Sequence, residues 1–129
     1  MIVVDTSVWV ASFRSATSEE ARHLDTLLES DQVGLAVPVR IEILSGASAN
    51  DRRRLRRVLS ALPVYFPSEA TWKLMDSWVD VAFRAGDRFG VADLLIAALA
   101  VEQTASVWSL DSDFERMGKL GLIQIYQPR

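Results

Sequence analysis

The stretch Met1-Ile2-Val3-Val4-Asp5-Thr6-Ser7, residues 1–7, decides the fold. Ile2, Val3 and Val4 form an apolar, β-branched run, which reads as a strand over residues 2–5 buried on both faces, as in a parallel sheet. A carboxylate and two hydroxyls follow. The apolar pattern then resumes in Val8-Trp9-Val10-Ala11, which predicts a helix over 7–14 capped by Thr6 or Ser7. In open α/β sheets, ligands sit beyond the carboxyl ends of the strands. Asp5 is therefore either a plain helix cap or a group pointing into such a crevice.

Working outward, the same alternation repeats. Ser18-Glu19-Glu20-Ala21 opens a helix that runs to about Ser30 on Leu24, Leu27 and Leu28, with acids in its first turn. His23 lies on it and reads as a surface or half-buried residue. Val33 to Val37 is a second buried strand, and Pro38 begins a helix over about 38–49. Glu42 falls inside the apolar part of that helix, where a charge is costly without a partner. With Ile41, Leu44 and Ala47 inward, and Ile43 a further candidate for that side, Glu42 projects either to solvent or to the strand-end crevice. Ala49-Asn50-Asp51 caps a further helix, whose stripe is Leu55, Val58, Leu59 and Leu62. Five arginines, Arg52, Arg53, Arg54, Arg56 and Arg57, surround that stripe.

Pro63 to Phe66 is extended. A long helix over 69–86 carries Trp72, Met75, Val79, Ala82 and Phe83 on one side and ends at Gly86. Asp76, Asp80 and Asp87 read as exposed acids. Residues 91–101 form an almost wholly apolar, hence central, helix with Asp93 in its first turn. Ala105 to Trp108 is another buried strand that ends in hydroxyl and acid, Ser109-Leu110-Asp111-Ser112-Asp113. A short helix over 112–118 and a last strand over 121–126 close the chain. Strands alternating with helices indicate an α/β layer fold, one domain over 1–129, with five strands.

Composition narrows the chemistry. Cysteine is absent, so there is no disulfide, thiolate metal site or Cys nucleophile. No apolar run approaches the roughly 20 residues of a membrane helix, and the start lacks the basic and apolar regions of a signal peptide, so a cytoplasmic protein is expected. Net charge is −3, yet all but Lys73 and Lys119 of the 14 basic residues are arginine, whose fork suits phosphate. There is no phosphate-binding glycine loop, no Gly-x-Ser-x-Gly elbow and one histidine. What remains are carboxylates at loop or helix starts: Asp5, Glu42, Asp93, Asp111 and Asp113. If the first strand is central, the strands delivering Asp5 and Asp111 can be neighbours, and the helices can bring Glu42 and Asp93 to the same edge. Clustered carboxylates repel, and a divalent cation with all-oxygen ligation, Mg²⁺ or Mn²⁺, relieves that repulsion. Such ions support phosphodiester cleavage by water. Thr6 and Ser109 could orient the acids or the water.

Four segments in register carry a family resemblance: M-I-V-V-D-T-S at 1–7, V-R-I-E-I-L-S-G at 39–46, A-D-L-L-I-A-A-L-A at 92–100 and S-L-D-S-D-F-E-R at 109–116. Over essentially its whole length the chain resembles a PIN domain, specifically a VapC-type toxin of a toxin–antitoxin pair. The resemblance implies a three-layer α/β/α sandwich around a mainly parallel sheet and a Mg²⁺- or Mn²⁺-dependent endoribonuclease. It further implies a cognate VapB-type antitoxin and a homodimer paired through helices. It assigns the acidic site to Asp5, Glu42, Asp93 and Asp111, with Asp113 matching an acid found in some relatives. Asp5, Asp93 and Asp111 are then the expected metal ligands, and Glu42 and Asp111 the holders of a second ion or a water. Ser109 departs from the Thr of many relatives but keeps the hydroxyl. Arg52, Arg53, Arg56 and Arg88 are the candidates for seating RNA phosphates. Hydrolysis by water predicts products with 5′-phosphate ends. The competing reading is a non-catalytic RNA- or protein-binding PIN domain. Receiver-like and haloacid-type folds fit less well, lacking the expected lysine placement and the Asp-x-Asp pair.

Overall fold

The computed structural model describes residues 1–128. Its elements run β1 (Ile2–Val4), α1 (Thr6–Arg14), α2 (Glu19–Glu29), β2 (Val33–Ala36), α3 (Val37–Gly46), α4 (Ala49–Leu59), β3 (Val64–Tyr65), α5 (Glu69–Arg84), α6 (Val91–Glu102), β4 (Ser106–Trp108) and α7 (Ser112–Lys119). The strands lie in the order β3-β2-β1-β4, and every pairing is parallel. β1 is thus an inner strand, as its unbroken apolar run requires, and Val3 and Val4 have no exposed surface. β2 allows close approach at Gly34, where the Tyr65 ring lies so near that a Cβ would stand 2.4 Å from it.

The helix at 91–102 is central, with Leu94, Ile96, Ala97, Ala98, Leu99 and Ala100 all buried. It packs on α3, α5, α7 and three of the strands, and the buried residues join in one apolar cluster. Among the described residues no helix is long and apolar enough to cross a membrane.

Three expectations need correction. Among the described residues the sheet has four strands, not five. The segment 121–126 touches β4 through one parallel bridge, Val107 to Ile125. Gly121, at φ +78°, turns the chain out of α7, and the Leu122 amide bonds back to Met117. Ile125 then packs onto Gly118, where a Cβ would lie 2.6 Å from its side chain, so the segment follows α7 instead of extending along β4. Second, α5 buries Thr71, Met75, Trp78 and Ala82, while Trp72, Val79 and Phe83 face outward, Phe83 with 81% of its surface exposed. Third, α3 buries Val39, Ile43 and Leu44, and Ile41 is exposed.

Candidate active site

The parallel ladder between β1 and β4 ends with the Asp5 amide donating to the Trp108 carbonyl at 2.8 Å. Both strands therefore stop at the same edge, and both deliver a hydroxyl and an acid there. Asp5 itself is the N-cap of α1, accepting from the Ser7 amide, so helix capping falls to the aspartate and not to Thr6 or Ser7. Capping does not exhaust it. Asp5 is only 5% exposed, and its Oδ2 accepts the Ser7 hydroxyl at 2.7 Å and the Ser109 hydroxyl at 2.9 Å. These donors satisfy a carboxylate oxygen that burial cuts off from water. Ser109 Oγ in turn accepts the Asp111 amide, and Ser7 Oγ the Leu110 amide, which ties the turn after β4 to the start of α1.

Asp111 caps α7, accepting from the Asp113 amide at 2.9 Å. Asp93 enters from the first turn of α6. Asp93, Asp111 and Asp113 each offer an oxygen within 4.8 Å of the others. Glu42, on exposed α3 surface, accepts the Thr6 hydroxyl at 3.0 Å. Burial pushes the Asp93 carboxyl up to about 6, helped by the charges of Asp111, Asp5, Asp113 and Glu42 in that order. All five candidate acids thus act on one neighbourhood, although they come from positions far apart in the chain.

The expected metal set of Asp5, Asp93 and Asp111 differs from this geometry in one member. The tight trio contains Asp113, and Asp5 stands outside it with Oδ2 taken up by hydroxyls. Three carboxylates converging from α6 and α7 form an all-oxygen donor set that fits a hard divalent ion.

Arg116 supplies the balancing charge. Its Nη2 is bonded to Asp113 Oδ1, and its Nε stands 3.2 Å from Asp87 Oδ1, in charge contact without hydrogen-bond alignment. Its guanidinium lies 5.8 Å over the centre of the Phe89 ring. Asp87 is therefore a half-buried ion-pair member and not the free surface acid expected. Arg116, Asp87 and Ser7 were not singled out as site residues from sequence. The Asp113-x-x-Arg116 spacing, one helical turn, was the available signal.

The basic residues divide. Arg52 Nε and Nη2 donate to the carbonyls of Leu44 and Ala47 at 3.1 and 3.0 Å, closing the end of α3. Arg53 and Arg56 are exposed on α4, and Arg88 is exposed on the loop before α6.

A family model for the PIN domain matches residues 2–120. Ribonuclease VapC11 of Mycobacterium tuberculosis is 33% identical over 129 residues, covering 96% of each chain. Ribonuclease VapC18 of the same organism is 33% identical over 122 residues, covering 91% of this chain and 87% of the relative. Among solved structures, VapBC2 from Rickettsia felis bound to a DNA fragment from its promoter superposes with a TM-score of 0.77 at 18% identity, over 98% of both chains. The sarcin-ricin loop cleaving toxin VapC20 of Mycobacterium tuberculosis gives 0.68 at 18% identity, over 99% of this chain and 100% of the other. These likenesses support the α/β fold of a parallel sheet covered by helices.

Proposed function

The chain belongs to the PIN domain family and to its VapC relatives, and from that premise we propose that it is a metal-dependent endoribonuclease, the toxin of a toxin–antitoxin pair. The observation that carries the reading is the convergence of Asp5, Glu42, Asp93, Asp111 and Asp113 on one edge, where burial and mutual repulsion raise the Asp93 carboxyl to about 6. Acids held this close serve no packing purpose, and a divalent cation turns their repulsion into binding.

Asp93, Asp111 and Asp113 would hold Mg²⁺ or Mn²⁺, with Asp5 oriented beside them. When bound, the ion supplies charge that activates a water and stabilises the leaving oxygen of an RNA phosphodiester. The protein's own groups set the geometry. The Ser7 and Ser109 hydroxyls fix Asp5 through Oδ2. Thr6 holds Glu42 by Oε1, which leaves Oε2 to accept a proton from a water. Arg116 keeps Asp113 in place against the repulsion of its neighbours. Of the four candidate arginines, Arg53, Arg56 and Arg88 are exposed and remain to meet RNA phosphates.

The reading includes a single domain in a three-layer sandwich, a cytoplasmic site of action, a VapB-type antitoxin as partner and pairing with a second copy. The outward Trp72, Val79 and Phe83 of α5 suit that last contact, since large apolar groups on one helix face call for a partner.

The test is cleavage of RNA with Mg²⁺ or Mn²⁺ titrated against the wild type, Asp5→Asn and Asp93→Asn. Acid-dependent, metal-dependent cleavage leaving 5′-phosphate ends is the expected result. Cleavage leaving 2′,3′-cyclic phosphates rejects the chemistry, and metal uptake unaffected by either substitution favours a binding module.

A further inference from the structure

The turn that carries Ser109 and Asp111 has a second face. Trp108 and Leu110, which alternate with those two residues, line a cavity of about 490 Å³ walled on its other side by α2. The polar groups of this cavity take no part in the acid cluster. His23 projects from α2, its Nε2 2.6 Å from the Tyr126 phenol oxygen. The imidazole meets Trp108 edge-on, with ring centres 5.2 Å apart, and Tyr126 leans on both rings. The three rings pack on one another, and with Trp108 only 3% exposed the half-buried His23 imidazole is the ring that the cavity presents.

Glu20 and Arg22 also line the cavity. Among the described residues neither side chain has a hydrogen-bond or ion-pair partner in the structure. Two apart on a helix, they do not face each other and so do not neutralise each other. One acceptor and one fork of donors are thus presented separately beside the His23 imidazole. Leu110, 53% exposed, stands at the rim next to Asp111.

We infer that this cavity is a nucleobase subsite and that the base it takes is guanine, from the nucleotide adjoining the phosphate at the acid cluster. The inference rests on the ribonuclease reading for the source of that base. Single-stranded RNA is read by bases splayed out against aromatic or imidazole rings and hydrogen-bonded along their edges. Guanine carries donors on one edge, which a carboxylate accepts, and O6 and N7 on another, which an arginine fork meets. A phosphate is a poorer occupant, because Glu19 and Glu20 both line the cavity and repel it. Leu110 separates the base from the acids as an apolar wedge, and Trp108 joins the two sites within one residue of Ser109.

His23 is the only histidine of the chain, so its imidazole proton signals report on the cavity without assignment. The experiment titrates the four nucleoside 5′-monophosphates into the full chain in EDTA at constant pH. The expected result is that GMP moves the His23 signals with an affinity at least about five-fold above the other three, the lower end of one bidentate base contact. Glu20→Gln and Arg22→Gln should each remove that preference while the His23 signals stay in place without ligand. In parallel, metal-dependent cleavage of a random RNA pool should favour one guanine position beside the cut, and Glu20→Gln should abolish the preference through KM. No shift with any nucleotide at millimolar concentration, or equal shifts with all four, overturns the subsite. His23 signals that move with an added antitoxin and with no nucleotide assign the cavity to a protein partner and overturn it as well. Asp93-dependent cleavage with no guanine preference sinks the subsite alone. GMP binding without any RNA cleavage sinks the ribonuclease reading and leaves a guanine site.

Discussion

Ser109 Oγ donates to Asp5 Oδ2 at 2.9 Å across 104 residues of chain, and the same oxygen accepts the Asp111 amide. One hydroxyl thus sets the position of two acids. Ser109→Ala should leave the fold intact, because the side chain is half-buried and small, yet lower kcat/KM for RNA by roughly 10–100-fold, the usual effect of losing a group that orients metal-site carboxylates. Ser109→Thr should restore most of it by keeping the hydroxyl. Steady-state cleavage with circular dichroism as the folding control checks both.

Asp93 ties stability to pH. Its carboxyl is raised from 3.8 to about 6 in the folded chain. Between those values the folded state holds a proton that the unfolded chain has released. Stability from this group is therefore full below about pH 4 and lost as pH rises through 6. Thermal unfolding in EDTA should show a falling Tm from pH 5 to 7.5, and Asp93→Asn should flatten that fall while abolishing cleavage. Added Mg²⁺ should raise Tm clearly at pH 7.5 and little at pH 5, since only the ionised cluster binds it.

Arg116 connects Asp113 on α7 with Asp87 on the loop before α6. Removing its charge leaves Asp113 facing Asp93 and Asp111 uncompensated, and Asp113 should swing away. Arg116→Gln is expected to weaken Mn²⁺ binding by about ten-fold, within the range for groups that support metal ligands. Calorimetric titration with Mn²⁺ measures this without relying on turnover. Unchanged or tighter Mn²⁺ binding would mean that Arg116 competes with the ion and does not position Asp113.

Much of this arrangement is legible in the sequence because buried strands announce themselves. Ile2-Val3-Val4 and Val107-Trp108 are apolar without alternation, so the acids that follow them had to emerge at a sheet edge. The helix limits were readable within a residue or two, except at the end of α3, expected near residue 49 and found at Gly46, where Ser48 already caps α4. The cap of α1 stays open in the sequence because Asp5, Thr6 and Ser7 are all good caps, and the bond from the Ser7 amide to the Asp5 carboxylate selects Asp5. On α5 the spacing of Trp72, Met75 and Val79 shows a helix but not which stripe is inward. Both stripes carry large apolar groups, and contact with α6 chooses Met75 and Trp78. The fifth strand failed on a tertiary detail, the space that Gly118 leaves for Ile125. Asp87 was read as a surface acid because its partner Arg116 lies on a different element.

The arginines of α4 can be separated by what they touch. Arg52 lies half-buried, with one donor on the Ala47 carbonyl just past the end of α3 and one on the Leu44 carbonyl, which also accepts the Ala47 amide. Arg53 and Arg56 are exposed and make no ion pair among the described residues. The same residue type in the same run therefore serves two purposes, and two measurements tell them apart. Arg52→Ala should cost about 1–3 kcal/mol of stability, as expected for charge-assisted hydrogen bonds to buried carbonyls, and should lower Tm without changing the salt dependence of RNA binding. Arg53→Gln and Arg56→Gln should leave Tm almost unchanged. If they meet phosphates, each should weaken RNA binding evenly across sequences and reduce the slope of log K against log salt by roughly 0.7, the value for one contact on a single strand. Filter binding of Asp93→Asn to one RNA at several salt concentrations provides the slope. A slope untouched by the double substitution Arg53→Gln with Arg56→Gln would place the RNA path away from α4 and leave Arg88 as the phosphate contact nearest the acids.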